Sequence, residues 1–267
     1  MYAAPAMDRR TFIADLGRGA FALAIFAVAG CGPAGAGSPS PRAAGPTGST
    51  GPTGGGASPT STPADRDPGG PPGGLSWERV NLGFVSAYVL ARAGEAALVD
   101  TGVEDSADAI ESSLGAVGLG WEALGHVILT HHHADHVGST AEVLRRAAAA
   151  TAYAGAADIP SIPVGSLTAI GEGDEVFGLQ VVASPGHTAG SISVLDPVAG
   201  VLVAGDALRT DANRPALPSP QFTVDMDLAR QSIVKLGALS FETLLVGHGE
   251  PLVGGASALV AELGASG

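Results

Sequence analysis

Between Thr130 and His136 the chain reads Thr-His-His-His-Ala-Asp-His, so four side chains able to ligate a metal, His131, His133, Asp135 and His136, fall within six residues. No requirement of folding accounts for that density. A continuous helix would turn positions i and i+2 about 200° apart, and a continuous strand would send His136 to the face opposite the other three. The tract is therefore expected to be a loop wrapped around something. Imidazoles and a carboxylate without a thiolate suit a borderline divalent cation; zinc is the first choice, and iron or manganese would accept the same donors.

The glycines and prolines are unevenly spread. From Gly32 to Gly74 there are 13 Gly and 10 Pro in 43 residues, with no aromatic or large aliphatic side chain. Such a stretch cannot bury enough apolar surface to offset its ordering entropy, and residues 32–74 read as a disordered tether spanning roughly 35–40 Å on average. Residues 1–31 read as a signal segment. Asp8-Arg9-Arg10-Thr11-Phe12-Ile13 resembles a twin-arginine export signal, and the apolar run Ala20 to Ala29 is shorter than the about 20 residues a bilayer span needs. The closing Val28-Ala29-Gly30-Cys31 resembles the lipobox of bacterial lipoproteins, in which the cysteine is lipidated. That reading expects an exported protein held by Cys31 at the extracytoplasmic side of a cell membrane. Cys31 is the only cysteine, so no internal disulfide is available. A domain folded, and loaded with metal, before export fits that absence.

Residues 75–267 are enough for one domain. They carry 8 Lys and Arg against 22 Asp and Glu, a surface that repels phosphate backbones and argues against nucleic-acid partners. A small-molecule substrate is expected; nothing in the chain fixes the oligomeric state. Strands are predicted at Phe84 to Leu90, Ala96 to Asp100, His126 to Thr130, Leu179 to Ser184, Ser191 to Asp196, Val201 to Ala204 and Thr243 to Val246. Helices are predicted at Ser106 to Leu114, Gly138 to Ala150, Asp225 to Leu239 with Thr223 as N-cap, and Ala256 to Leu263. Strands in two groups with interspersed helices indicate an α/β layered domain.

The other candidate ligands each follow a predicted strand and adjoin a glycine: His187 in Pro185-Gly186-His187-Thr188, Asp206 after Gly205, and His248 between Gly247 and Gly249. Glycine there is expected to let the backbone turn sharply at the strand end. His132 and His126 are read as packed or solvent-facing side chains, and Arg209 and Arg214 as solvated.

Asp-Thr-Gly (Asp100 to Gly102), the histidine tract, Gly-His-Thr-Ala-Gly (Gly186 to Gly190), Gly-Asp (Gly205, Asp206) and Gly-His-Gly (Gly247 to Gly249) resemble the five successive motifs of the metallo-β-lactamase superfamily, in family order. The resemblance implies an αββα sandwich with the metal site at the edge of its two sheets. It assigns His131, His133 and His187 to one metal ion and Asp135, His136 and His248 to a second, with Asp206 bridging. Asp100 would stand behind the ligands, hydrogen bonding one imidazole. The implied activity is hydrolysis of a small-molecule ester, lactone, thioester or amide by a hydroxide generated at two divalent ions, with Asp135 orienting it or moving its proton. An aspartate at 206, where two β-lactamase subclasses have Cys or Ser, weakens β-lactam hydrolysis; the set matches glyoxalase II and lactonases. The chain ends 19 residues after His248, which is read as absence of the extra C-terminal helical domain of glyoxalase II. Two alternatives stay open: a mononuclear-iron enzyme acting on persulfides, and a non-catalytic metal- or ligand-binding lipoprotein.

Overall fold

The computed structural model describes residues 74–266; the signal segment, Cys31 and residues 32–73 of the expected tether lie outside them. The strands and helices are, in chain order, β1 Ser76–Asn81, β2 Ser86–Arg92, β3 Glu95–Val99, α1 Ala107–Ala116, β4 Leu124–Leu129, α2 Ala134–Val137, α3 Thr140–Arg146 and β5 Thr151–Gly155. Then come β6 Thr168–Ile170, β7 Glu175–Val176, β8 Leu179–Ala183, β9 Ile192–Asp196, β10 Val201–Gly205, β11 Arg209–Asp211 and β12 Arg214–Ala216. The chain closes with α4 Met226–Gly237, β13 Thr243–Val246, β14 Leu252–Val253 and α5 Ala256–Ala265.

Two six-stranded sheets result, ordered β1-β2-β3-β4-β5-β6 and β14-β13-β10-β9-β8-β7. Their strands are apolar at both parities because both faces are covered. In β2, Tyr88 and Leu90 face the second sheet, while Ala87 and Val89 face α1; in β3, Ala97 and Val99 point one way, Ala96 and Leu98 the other. In β10, Val201 and Val203 fill the space between the sheets, while Leu202 and Ala204 pack with Ile233 and Leu236 of α4 and Val260 of α5. The layers are therefore helix, sheet, sheet, helix, as expected from the sequence. No described helix is long and apolar enough to cross a membrane.

Several local expectations are corrected. The turn expected over Ala91 to Glu95 shrinks to Ala93 and Gly94, both at positive φ, the geometry of a two-residue hairpin. The helix expected over Gly138 to Ala150 stops at Arg146, and β5 follows closely. Strand β1 was unforeseen because its core positions include buried Glu78 and Arg79, which break the apolar pattern. The histidine tract is not all loop, since Ala134–Val137 forms a helical turn. Thr223 is not the cap of α4: Asp225 is, its Oδ1 accepting from the Leu228 amide at 2.9 Å.

Strand direction decides where the candidate ligands emerge. β3 and β4 are parallel, so Asp100 and Thr130 leave the first sheet at the same edge. β10 and β13 are parallel in the second sheet, which sets Asp206 and His248 side by side. β8 pairs antiparallel with β9, and β9 with β10, so β8 delivers the His187 loop to that edge as well. The two edges are joined by the Ile192 amide donating to the Thr130 carbonyl at 2.9 Å.

Candidate metal centre

The tract works in two pieces. His131 to His133 is extended, with His133 at φ −65° and ψ 146°, and positions two apart in extended chain point the same way. The turn Ala134–Val137 then folds back, with the His136 amide donating to the His133 carbonyl at 2.9 Å, and returns His136 to the same space.

Seven side chains meet there. His131 Nε2 is 3.1 Å and His187 Nε2 2.9 Å from His133 Nδ1. On the other side, His248 Nε2 is 3.4 Å and His136 Nε2 4.0 Å from Asp135 Oδ2. Asp206 lies between, with Oδ2 3.4 Å from His187 Nε2 and 3.2 Å from His248 Nε2, and Oδ1 3.3 Å from His136 Nε2. Three overlapping donor groups could each hold an ion: His131, His133 and His187; His131, His136 and Asp206; Asp135, His136 and His248. The buried His136 Nε2 and Asp206 Oδ1 have no hydrogen-bond partner. Buried polar atoms are rarely left so, and both point into the cluster, which is what a divalent cation accepting N and O donors would satisfy.

Four of the five imidazoles have the far ring nitrogen engaged. His136 Nδ1 donates to Asp100 Oδ2 at 2.8 Å, and His248 Nδ1 to the Phe84 carbonyl at 2.7 Å. His131 Nδ1 lies 3.0 Å from Thr130 Oγ1, which itself donates to Asp100 Oδ2. His187 Nδ1 lies 3.2 Å from Thr223 Oγ1. Asp100 also accepts the Thr130 amide, and holds a left-handed φ of 63° to do so. His132 and His126 stand outside the cluster, against Asp158 and Tyr153 respectively. Tyr88 is buried with its hydroxyl on the Val246 carbonyl, and so cannot reach a substrate.

Charge is divided unequally across the cluster. Burial pushes His131 well below the ordinary histidine range, and His187 down to about 4. Burial also disfavours the charged form of His136, but the Asp206 and Asp100 carboxylates outweigh it and hold that ring well above the ordinary value. Hydrogen bonds to Asp135 and Asp206 pull His248 up to about 10. Asp206, despite burial that would raise it, is kept well below the usual carboxylate range by His136 and its neighbours; Asp135 is lowered chiefly by its bond to His248.

Three positions escaped the sequence reading. Thr130 and Thr223 are hydroxyl partners of ring nitrogens, and nothing in a lone threonine announces that. Asp158 stands in no motif either; it is buried, accepting the His132 and Gly190 amides and the Thr188 hydroxyl, and so ties the two histidine loops together. A cleft of about 280 Å³ opens beside His187, Asp206 and His248, lined by Leu208, Pro218 and Phe222 with Arg209 and Ser219.

A model of the metallo-beta-lactamase superfamily matches residues 80–248. The chain is similar to the "Probable metallo-hydrolase YflN" of Bacillus subtilis, 31% identical over 202 residues that cover 59% of this chain and 76% of that protein. It is 37% identical over 123 residues to the hydroxyacylglutathione hydrolase of Brucella ovis, covering 45% of this chain and 46% of that one, less than half of its length. Among solved structures, a metallo-beta-lactamase family protein of Thermus thermophilus superposes with a TM-score of 0.60 at 24% identity, over 72% of this chain and 79% of that one. Another, solved in a di-iron-bound form, gives 0.55 at 24% identity over 68% of this chain and 92% of that one. With the sandwich, the strand-edge donors and a family match spanning the motifs together, the chain belongs to the metallo-beta-lactamase superfamily of metallo-hydrolases.

Proposed function

We propose that the domain hydrolyses an ester, lactone, thioester or amide bond in a small molecule, with two divalent ions, zinc by preference, held by His131, His133 and His187 and by Asp135, His136 and His248, and Asp206 shared. The observation that carries this reading is the position of Asp206 between two separate donor groups. Capture of a single ion needs only three or four ligands, and seven convergent donors exceed that.

Ions bound there would supply Lewis acidity toward a carbonyl oxygen and lower the pKa of a water to about 7. The chain supplies the rest. Asp100 and Thr130 hold His136 and His131 with Nε2 facing inward. Asp135 is the carboxylate on the open side, its side chain 30% exposed against 10% for Asp206; a carboxylate oxygen of Asp135 not engaged by the ion would hold a proton between water and leaving group. Leu208, Pro218 and Phe222 give the cleft an apolar wall that takes the non-reacting part of the substrate and excludes water. The acidic surface of residues 75–267 favours neutral or cationic small molecules over polyanions.

The test is metal analysis of the purified protein, with a panel of ester, lactone, thioester and β-lactam substrates assayed before and after chelation. About two equivalents and chelator-sensitive hydrolysis are expected. Full activity at one equivalent, unchanged by a second, would end the two-ion reading; oxygen consumption with a persulfide would replace hydrolysis by an oxidative reaction. We further propose that Cys31 carries a lipid that holds the exported protein at a membrane; the sequence Val28-Ala29-Gly30-Cys31 supports this.

A further inference from the structure

The loop between β12 and α4 has two contacts with the site. Pro218, Ser219 and Phe222 line the cleft, while Thr223 stands against the far side of the His187 ring. Thr223 Oγ1 is 2.8 Å from the Ser219 carbonyl oxygen and 3.2 Å from His187 Nδ1. A hydroxyl has one proton, and a carbonyl oxygen only accepts, so that proton goes to Ser219. What Thr223 offers His187 is a lone pair, which only a proton on Nδ1 can meet. The ring is thereby held in the tautomer whose Nε2 lone pair faces His133 Nδ1 and Asp206 Oδ2. Two backbone bonds brace the same junction: the Val224 amide donates to the His187 carbonyl at 3.2 Å, and the Asp225 amide to the Gly186 carbonyl at 2.9 Å.

We propose that Thr223 is a positioning residue, whose hydroxyl presents His187 Nε2 to the metal cluster and fastens that ring to the wall of the substrate cleft. The inference rests on His187 being a metal ligand. It gives the cleft loop a second duty, since the carbonyl that orients Thr223 belongs to Ser219, a lining residue.

The test uses the full chain in three forms: unaltered, Thr223→Val, which keeps the shape and removes the hydroxyl, and Thr223→Ser, which keeps the hydroxyl. Zinc affinity is read by competition with a chromophoric chelator, and each form is repeated in a His187→Ala background. Thr223→Val should weaken one equivalent by about 10–100-fold, Thr223→Ser should recover most of that, and the valine should cost nothing further once His187 is alanine. Unaltered affinity in Thr223→Val, no recovery with serine, or an equal loss with and without His187 overturns the proposal. Metal binding without hydrolysis of any substrate sinks the hydrolase reading and leaves this one standing. Hydrolysis with unaltered zinc affinity in Thr223→Val does the reverse, and an unaltered protein that binds no divalent ion overturns both.

Discussion

Asp100 shows how one residue can serve backbone and site together. Its φ of 63° is a conformation that aspartate and asparagine tolerate and most residues do not, and from it the carboxylate reaches the Thr130 amide, the Thr130 hydroxyl and His136 Nδ1. Asp100→Asn keeps the backbone preference and removes the charge, so metal affinity should fall about 10–100-fold with the fold intact. Asp100→Ala should add about 1–2 kcal/mol of backbone strain, and a thermal melt should place its transition below that of the asparagine variant. Gly247 makes a different point. Its φ is not among the positive values, so the backbone conformation there does not call for glycine; the space does. A Cβ there would lie 2.2 Å from Asp206 Oδ1 and 2.5 Å from His136 Cε1. Gly247→Ala should therefore yield folded protein with less bound metal, measurable by elemental analysis; normal metal content would show that the two side chains can yield.

Among the elements, α4 is the one whose start touches the site. Asp225 caps it and donates its own amide to Gly186. Asp225→Ala should cost about 1 kcal/mol, or roughly 2–4 °C in the melting temperature of a domain this size; no change would mean that the backbone bond alone sets the helix start. Which elements could be read from the sequence follows from burial. β4, β8, β9, β10 and β13 are short apolar runs because both faces are covered, and they stand out. β1 hides because Arg79 is buried with its guanidinium on Ser86 Oγ, the Gly249 carbonyl and Glu250, contacts that sequence distance conceals. β5 hides because Thr151-Ala-Tyr-Ala-Gly continues an alanine run that reads as helix. The proximity of the seven donors was legible because four crowd the tract after β4 and the other three each follow a strand and adjoin a glycine. Their supporting partners were not, since Thr130, Thr223 and the Phe84 carbonyl are unremarkable until the chain brings them to a ring nitrogen.

For the molecule as a whole, the donors join two sheets that also meet through an apolar interface and a few polar contacts, among them the Tyr88 hydroxyl on the Val246 carbonyl. An ion bound by the folded state alone stabilises it by mass action, about 4 kcal/mol when free metal is a thousandfold above the dissociation constant. Chelation should accordingly lower the melting temperature by on the order of 10 °C, and restored zinc should bring it back; a melt indifferent to chelator would mean the cluster adds no stability. In cells, Cys31→Ala should move the protein from the membrane fraction to the soluble one, detected by fractionation and blotting, and an unchanged distribution would remove the anchor. The donors are contributed at residues 131–136, 187, 206 and 248, by loops from both sheets. On the proposed assignment, a nascent chain therefore cannot assemble the site of Asp135, His136 and His248 until the stretch carrying His248 has been synthesised and β13 has docked beside β10. Occupancy of the proposed second site would report completion: a copy truncated before His248 keeps His131, His133, His187 and Asp206 but lacks one donor of the other group, so the second ion would distinguish finished molecules from unfinished ones.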